Sequence, residues 1–174
     1  MAATLGFGYP NTYTAANTST TLTRPADSTG YTAGDLVANN TTAGSVTVPT
    51  VTVARVAGGS GMIRSAILKT NHTTGLDAIN FTVDIWSAAP TFTNGDNGVY
   101  AVATNGDKWL GSLSGSFRQF ADYASAMLAP DGGVGELSFK LASGTDVYWT
   151  MRTNGAFTPA SGKTFNLVAN VAQD

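Results

Sequence analysis

His72, the only histidine, sits in Asn71-His72-Thr73-Thr74-Gly75, and the chain has no cysteine. Nucleophilic catalysis needs an activated nucleophile beside a base, and a zinc site needs several His or Cys ligands, so one histidine in a polar turn supplies neither. It reads as a solvated surface residue. A Gly-x-Ser-x-Gly elbow and a complete Gly-rich phosphate loop are also missing from the sequence. Carboxylates remain: a glycosidase needs two across a groove, and Asp84, Asp96, Asp107 and Glu136 are available, but no spacing singles out a pair. Asn94-Gly95-Asp96-Asn97-Gly98 has calcium-loop residue types without the full order of acidic ligands or the closing Glu, so it reads as an ordinary turn. The expectation is a chain without catalytic, cofactor-binding or metal-ligating residues, and not an enzyme. Binding chemistry is better represented, because sugars stack on exposed rings beside amide and carboxylate partners, and Trp86, Trp109, Tyr123 and Tyr148 offer such rings. The competing role for those rings is to cover a second core layer or a subunit interface.

The elements that must position these groups read as strands. In Ile79-Asn80-Phe81-Thr82-Val83-Asp84-Ile85-Trp86 the apolar residues alternate, which places Phe81, Val83 and Ile85 in one core and leaves Thr82, Asp84 and Trp86 on an outer, wet face. Val46 and Val48 alternate in one phase and Val51 and Val53 in the other, with a slip at Pro49-Thr50 that signals a bulge or break. Residues 62–69 carry Ile63 and Ile67 on one side and Met62, Ala66 and Leu68 on the other, as in a strand buried on both faces. Leu137, Phe139 and Leu141 are answered by Val147, Trp149 and Met151 across Gly144-Thr145-Asp146, which predicts a hairpin. Phe165, Leu167, Ala169 and Val171 mark a last strand. Phe117, Phe120, Ala124 and Met127 keep a helical spacing, so 117–128 is the one helix expected.

Many short strands with frequent turns predict an all-β chain, an antiparallel β-sandwich or jelly-roll-like domain with at most one short helix. The expected core is Val53, Ile67, Phe81, Val83, Ile85, Leu137, Phe139, Trp149 and Leu167. Residues 41–174 form that domain, and residues 1–40 read as an extended N-terminal arm, packed on a neighbouring subunit or, as the alternative, forming an irregular first strand that covers its own domain. In the arm, Leu5, Phe7, Tyr9 and Tyr13 are too few for a core of their own, so with Trp86 they are the interface candidates.

Charged residues make up 11% of the chain and the formal net charge is -2, with Thr about as common as Ala. Phosphate neutralisation requires clustered Lys and Arg, so nucleic acid is not an expected partner. No apolar run approaches the roughly 20 residues needed to span a bilayer, and no membrane partner is expected. The first basic residue is Arg24, which leaves residues 1–23 without the features of a secretory leader.

One resemblance follows the order of the motifs. Tyr31-Thr32-Ala33-Gly34-Asp35-Leu36-Val37, Gly61-Met62-Ile63 with Ala66 and Leu68, Phe81 to Trp86 with Pro90, Asp96-Asn97-Gly98, and Phe157-Thr158-Pro159-Ala160-Ser161-Gly162 with Phe165 resemble a group of small β proteins encoded among tailed-bacteriophage virion genes. The match starts at Tyr31. It implies a virion structural protein on the capsid exterior, a head decoration or cement protein whose partners are the major capsid protein and copies of itself, with a homotrimer expected from lattice symmetry. The alternative is a carbohydrate- or receptor-binding module of a tail or head fibre, with host-surface glycans as partners.

Overall fold

The computed structural model describes residues 15–131 and 135–173. Among them the first strands are β1 (Ala15–Thr18), β2 (Leu22–Thr23), β3 (Leu36–Val37), β4 (Thr50–Thr52), β5 (Ser60–Thr70) and β6 (Asn80–Trp86). They are followed by β7 (Thr91–Phe92), β8 (Val102–Thr104), β9 (Trp109–Gln119), β10 (Ala124–Pro130), β11 (Leu137–Lys140), β12 (Asp146–Thr153) and β13 (Thr164–Gln173). All pairings between these strands are antiparallel. The main sheet runs β1-β13-β5-β10-β9-β6-β12-β3, with β2 paired to β13, β4 to β12 and β11 to β5 beside that path, and it curls so that its inner faces enclose one core. The chain is an all-β protein, as its alternation predicts.

At the centre, β6 buries Phe81, Val83 and Ile85 against the inner residues of β9, β12 and β13. Phe81 is the hub of a ring cluster, with centroids 5.0 Å from Phe117, 5.5 Å from Phe157 and 6.4 Å from Phe165. Of the expected core, Val53, Phe139, Trp149 and Leu167 are buried as well, while Leu137 is half-buried against the core. Ile67 lies on the outer face instead. The reason is a bulge: β13 pairs Asn170 with Ser65 and then Val171 with Ile63, leaving Arg64 unpaired. That extra residue changes the phase of β5, so Ile63, Ala66 and Leu68 all point inward.

The expected helix over 117–128 is absent: the segment is the end of β9, a turn, and the start of β10. Phe117 points into the core while Phe120 and Met127 are exposed, so the helical spacing came from two separate alternations joined by a turn in which the Phe120 N–H donates to the Tyr123 carbonyl at 2.7 Å. Small inward residues, Ala124 and Ala126, hid the strand signal. The hairpin expected from 137–141 and 147–151 is also corrected. Both segments are strands, but β11 pairs with β5 and β12 with β3, β4 and β6. The connecting backbone is taken up by another segment, because the Leu141 N–H donates to Gly59 and the Thr145 carbonyl accepts from Val53 and Ala54. Alternation identifies a buried face and leaves the neighbour undetermined. The slip at Pro49-Thr50 carries Val46 and Val48 into a small outer cluster with Leu36 and Phe92, and Val51 and Val53 into the main core.

An arm reaching to residue 40 does not describe residues 15–40, which pack on their own chain. β1 and β2 pair with β13, β3 pairs with β12, and Leu22, Tyr31, Leu36, Val37 and Ala38 are buried. Leu5, Phe7, Tyr9 and Tyr13 lie outside the described residues.

His72 is buried, not solvated. Its Nε2 accepts the Ala160 N–H at 3.0 Å, and its ring meets Phe157 edge-on with centroids 6.1 Å apart. Burial, helped by the Lys163 charge, lowers its pKa, so the ring stays neutral with a lone pair for Ala160. A base whose pKa is lowered on folding takes its proton in the unfolded chain first, so stability should fall as pH drops below about 6.5, the unperturbed histidine value. Thermal unfolding at pH 7 and pH 5 checks this. Tm should fall at the lower pH, and His72→Gln should flatten that part of the profile; an unchanged slope in the variant refutes the assignment.

Candidate functional site

The outer face of β6 collects the polar residues that alternate with its core residues. β12 and β9 flank it, and their registers set Arg152 opposite Thr82, Thr150 and Ser112 opposite Asp84, and Ser114 opposite Thr82. Between Ile85 and Trp86 the β9 register shifts: Ile85 faces Gly111, and Trp86 faces Trp109. Leu110 is the extra residue, packed toward the core. Gly111 makes this turn of phase with φ 148°, and Leu137 occupies the space where a side chain would project. As a result Trp109 joins Ser112 on the outer face, where strict alternation would have put Leu110.

The product is a cleft of about 330 Å³ lined by Asp84, Trp86, Tyr100, Gly106, Trp109, Ser112 and Arg152. Asp84 Oδ1 accepts from Trp109 Nε1 at 3.1 Å and from the Ser112 hydroxyl. Trp86 Nε1 donates to Thr150 Oγ1 at 2.9 Å, and that oxygen is 2.7 Å from the Tyr100 hydroxyl. Burial raises the Tyr100 pKa, reinforced by the Asp84 charge, which keeps the phenol neutral and able to donate. The Arg152 guanidinium lies over the Tyr100 ring, 5.4 Å from its centroid, and its buried Nε has no hydrogen-bond partner among the described residues. A second cleft of about 380 Å³ shares Trp109 and Ser112 as its wall.

The expected wet face is therefore covered at this end: Thr82 and Asp84 are buried, and Trp86 is 4% exposed. Trp86 is not a free interface residue, because its ring forms part of the cleft and its N–H is spent within the chain. Trp109 is 52% exposed in the same cleft, Tyr123 stands at the β9–β10 turn, and Tyr148 is half-buried beside Ser87 and Asp146. The four rings named from the sequence thus do not form one platform; Trp86 and Trp109 share the cleft, and of these two Trp109 is the one open to solvent. The four carboxylates are in separate settings. Asp84 is in the cleft, Asp107 pairs with Lys108 at 2.6 Å, and Glu136 pairs with Arg64 at 3.3 Å. Asp96 is fully enclosed with Arg24 and Tyr31. Among the described residues, no group of three or more His, Asp or Glu is placed to hold a metal ion.

Sequence reading missed Ser112, Tyr100 and Arg152. Arg152 had a signal, since Tyr148, Thr150 and Arg152 alternate with the core residues of β12 and must share the face of Asp84 once the strands pair. Tyr100 had none, because it reaches the cleft from the loop between β7 and β8. No protein-family model matches the chain, and no curated protein matches it. The class that fold and site define is a curled antiparallel β protein with an aromatic and charged cleft on its outer face.

Proposed function

We propose that this chain is a non-enzymatic structural protein of a tailed-bacteriophage virion, a head decoration or cement protein that binds the major capsid protein lattice and copies of itself, as a homotrimer. The resemblance that begins at Tyr31 supplies the virion setting. The observation that carries the docking role is an apolar row on the outer sheet face. Val168 on β13 stands directly opposite Ile67 on β5, which stands opposite Met127 on β10. Met127 is 74% exposed, and the row is bordered by Asn166, Lys69 and Ser125 on one side and by Asn170 and Ser65 on the other, all polar side chains. Phe120 and Tyr123 are also exposed, at the β9–β10 turn beyond the polar row of Ser125, Lys69 and Asn166. A contiguous apolar patch with a polar rim is the usual composition of a protein contact surface. Repetition on a lattice turns modest affinity per contact into firm attachment.

Particles prepared with the protein should survive heat or low ionic strength better than particles without it, and electron microscopy should place it on the head. Met127→Glu would put an unpaired charge into the contact, so occupancy on particles should fall about tenfold or more while the isolated chain keeps its Tm. Equal particle survival with and without the protein refutes the cement role, and full occupancy by the variant refutes this face.

A further inference from the structure

Trp109 is held in an unusual way for a half-exposed ring. Its Nε1 edge is fixed on the Asp84 carboxylate, so the plane of the indole is set before anything binds, while much of its surface stays open to the cleft. Around that ring stand groups with unused hydrogen-bonding capacity. Asp84 accepts from Trp109 and Ser112 on Oδ1 and also meets the Tyr100 hydroxyl, and an ionised carboxylate offers about four lone-pair sites, so capacity remains. Arg152 brings a buried Nε–H with no hydrogen-bond partner among the described residues. Tyr100 and Ser112 add hydroxyls on the same walls.

From this geometry we infer that the cleft is a binding site for a neutral pyranose sugar within a glycan chain. A pyranose presents a face of C–H groups that packs on an indole and an edge of vicinal hydroxyls that both donate and accept. The donating hydroxyls match Asp84, and the accepting ones match the Arg152 guanidinium. At about 330 Å³ the cleft has the size of a small-molecule site, whose usual lower limit is about 300 Å³. One carboxylate and one guanidinium balance in charge, so the cleft has no net attraction for an ionic ligand, and an anionic sugar would meet the Asp84 charge. The second cleft beyond Trp109 gives a neighbouring residue of the chain a place to continue, which favours an oligosaccharide over a single sugar. The inference is independent of the capsid reading, since the cleft is built on β6, β9 and β12, whereas Val168, Ile67 and Met127 stand on β13, β5 and β10.

The full-length chain screened on an array of neutral and acidic glycans should bind neutral ones. Titration with a hit, followed by tryptophan fluorescence, should saturate. Trp109→Ala and Asp84→Asn should each weaken binding about tenfold or more, the loss expected when a stacking ring or a charged hydrogen-bond acceptor is removed. Trp109→Phe, which keeps a ring without the N–H, should bind between Trp109→Ala and the parent. Tyr123→Ala, far along the sheet at the β9–β10 turn, should bind as the parent does, and Trp109→Ala should keep the parent Tm. Absence of neutral-glycan binding at millimolar concentration, binding of acidic glycans alone, or undiminished binding by folded Trp109→Ala would each overturn the inference. None of these readouts depends on particle stability, so the two readings can fail separately.

Discussion

Replacing Asp96 with alanine is expected to remove about 3–5 kcal/mol of stability, the range observed when one member of a buried ion pair is deleted. Asp96 sits in the loop between β7 and β8, and its carboxylate is the meeting point of three donors from the segment that precedes β4. Arg24 Nη2 donates to Oδ2 at 2.9 Å, and Oδ1 accepts from the Tyr31 hydroxyl at 2.6 Å and the Ala38 N–H at 2.7 Å. The side chains of Arg24 and Asp96 are completely enclosed. Burial raises the Tyr31 pKa, with the Asp96 charge acting the same way, so Tyr31 remains a donor. Without the carboxylate, a guanidinium is left in the interior with its Tyr31 contact and only the more distant Asp27 carboxylate, 3.4 Å away. Urea unfolding should show a lower midpoint with an unchanged slope, and Tm should fall by roughly 6–20 °C for a chain of this size. Hydrogen exchange at Tyr31 and Ala38 should accelerate. Replacing Arg24 and Asp96 together by apolar residues of similar volume should recover much of the loss, because the cost lies in the orphaned charge. A single variant with parent stability would show that the cluster contributes nothing.

The second large effect is expected at Phe81. Its ring is wholly buried, and its neighbours Phe117, Phe157 and Phe165 come from β9, the loop before β13, and β13 itself. Phe81→Ala would open a cavity where three separate segments meet, and large-to-small changes of a buried phenylalanine cost about 3–5 kcal/mol. Phe157 also stacks on Tyr31, with centroids 4.8 Å apart, and the two residues are bridged through their backbones. The aromatic cluster and the Arg24–Tyr31–Asp96 cluster therefore share a wall. Loss of Phe81 should loosen Phe157 and weaken the Tyr31 anchor, so the effects of Phe81→Ala and Asp96→Ala should not add. Denaturant unfolding of the two single variants and the double variant measures that coupling. Strict additivity would mean that the clusters are independent.

The sequence by itself determined the class of this fold and the inward residues of its clearest strands. Period-two alternation in β6, β12 and β13 survives because one face is apolar and the other polar, and no other element can bury Phe81, Val83 and Ile85 together. It also marked Asp84 and Trp86 as outward residues, two of those that line the candidate site. Only the tertiary structure decided which strands are neighbours. The backbone hydrogen bonds that carry β11 to β5 and β12 to β6 are made by groups that every residue has, so they leave no trace in residue type. Local phase was likewise hidden. Arg64 and Leu110 look like ordinary strand residues, yet as bulges they turn Ile67 outward and bring Trp109 beside Asp84. Burial of polar groups was the least legible feature. His72 and Asp96 lie in stretches composed like exposed turns, and each is interior because partners far along the chain satisfy it: Ala160 for His72, and Arg24, Tyr31 and Ala38 for Asp96. A polar side chain is buried where its hydrogen bonds are met, and those partners become adjacent only when the chain has folded.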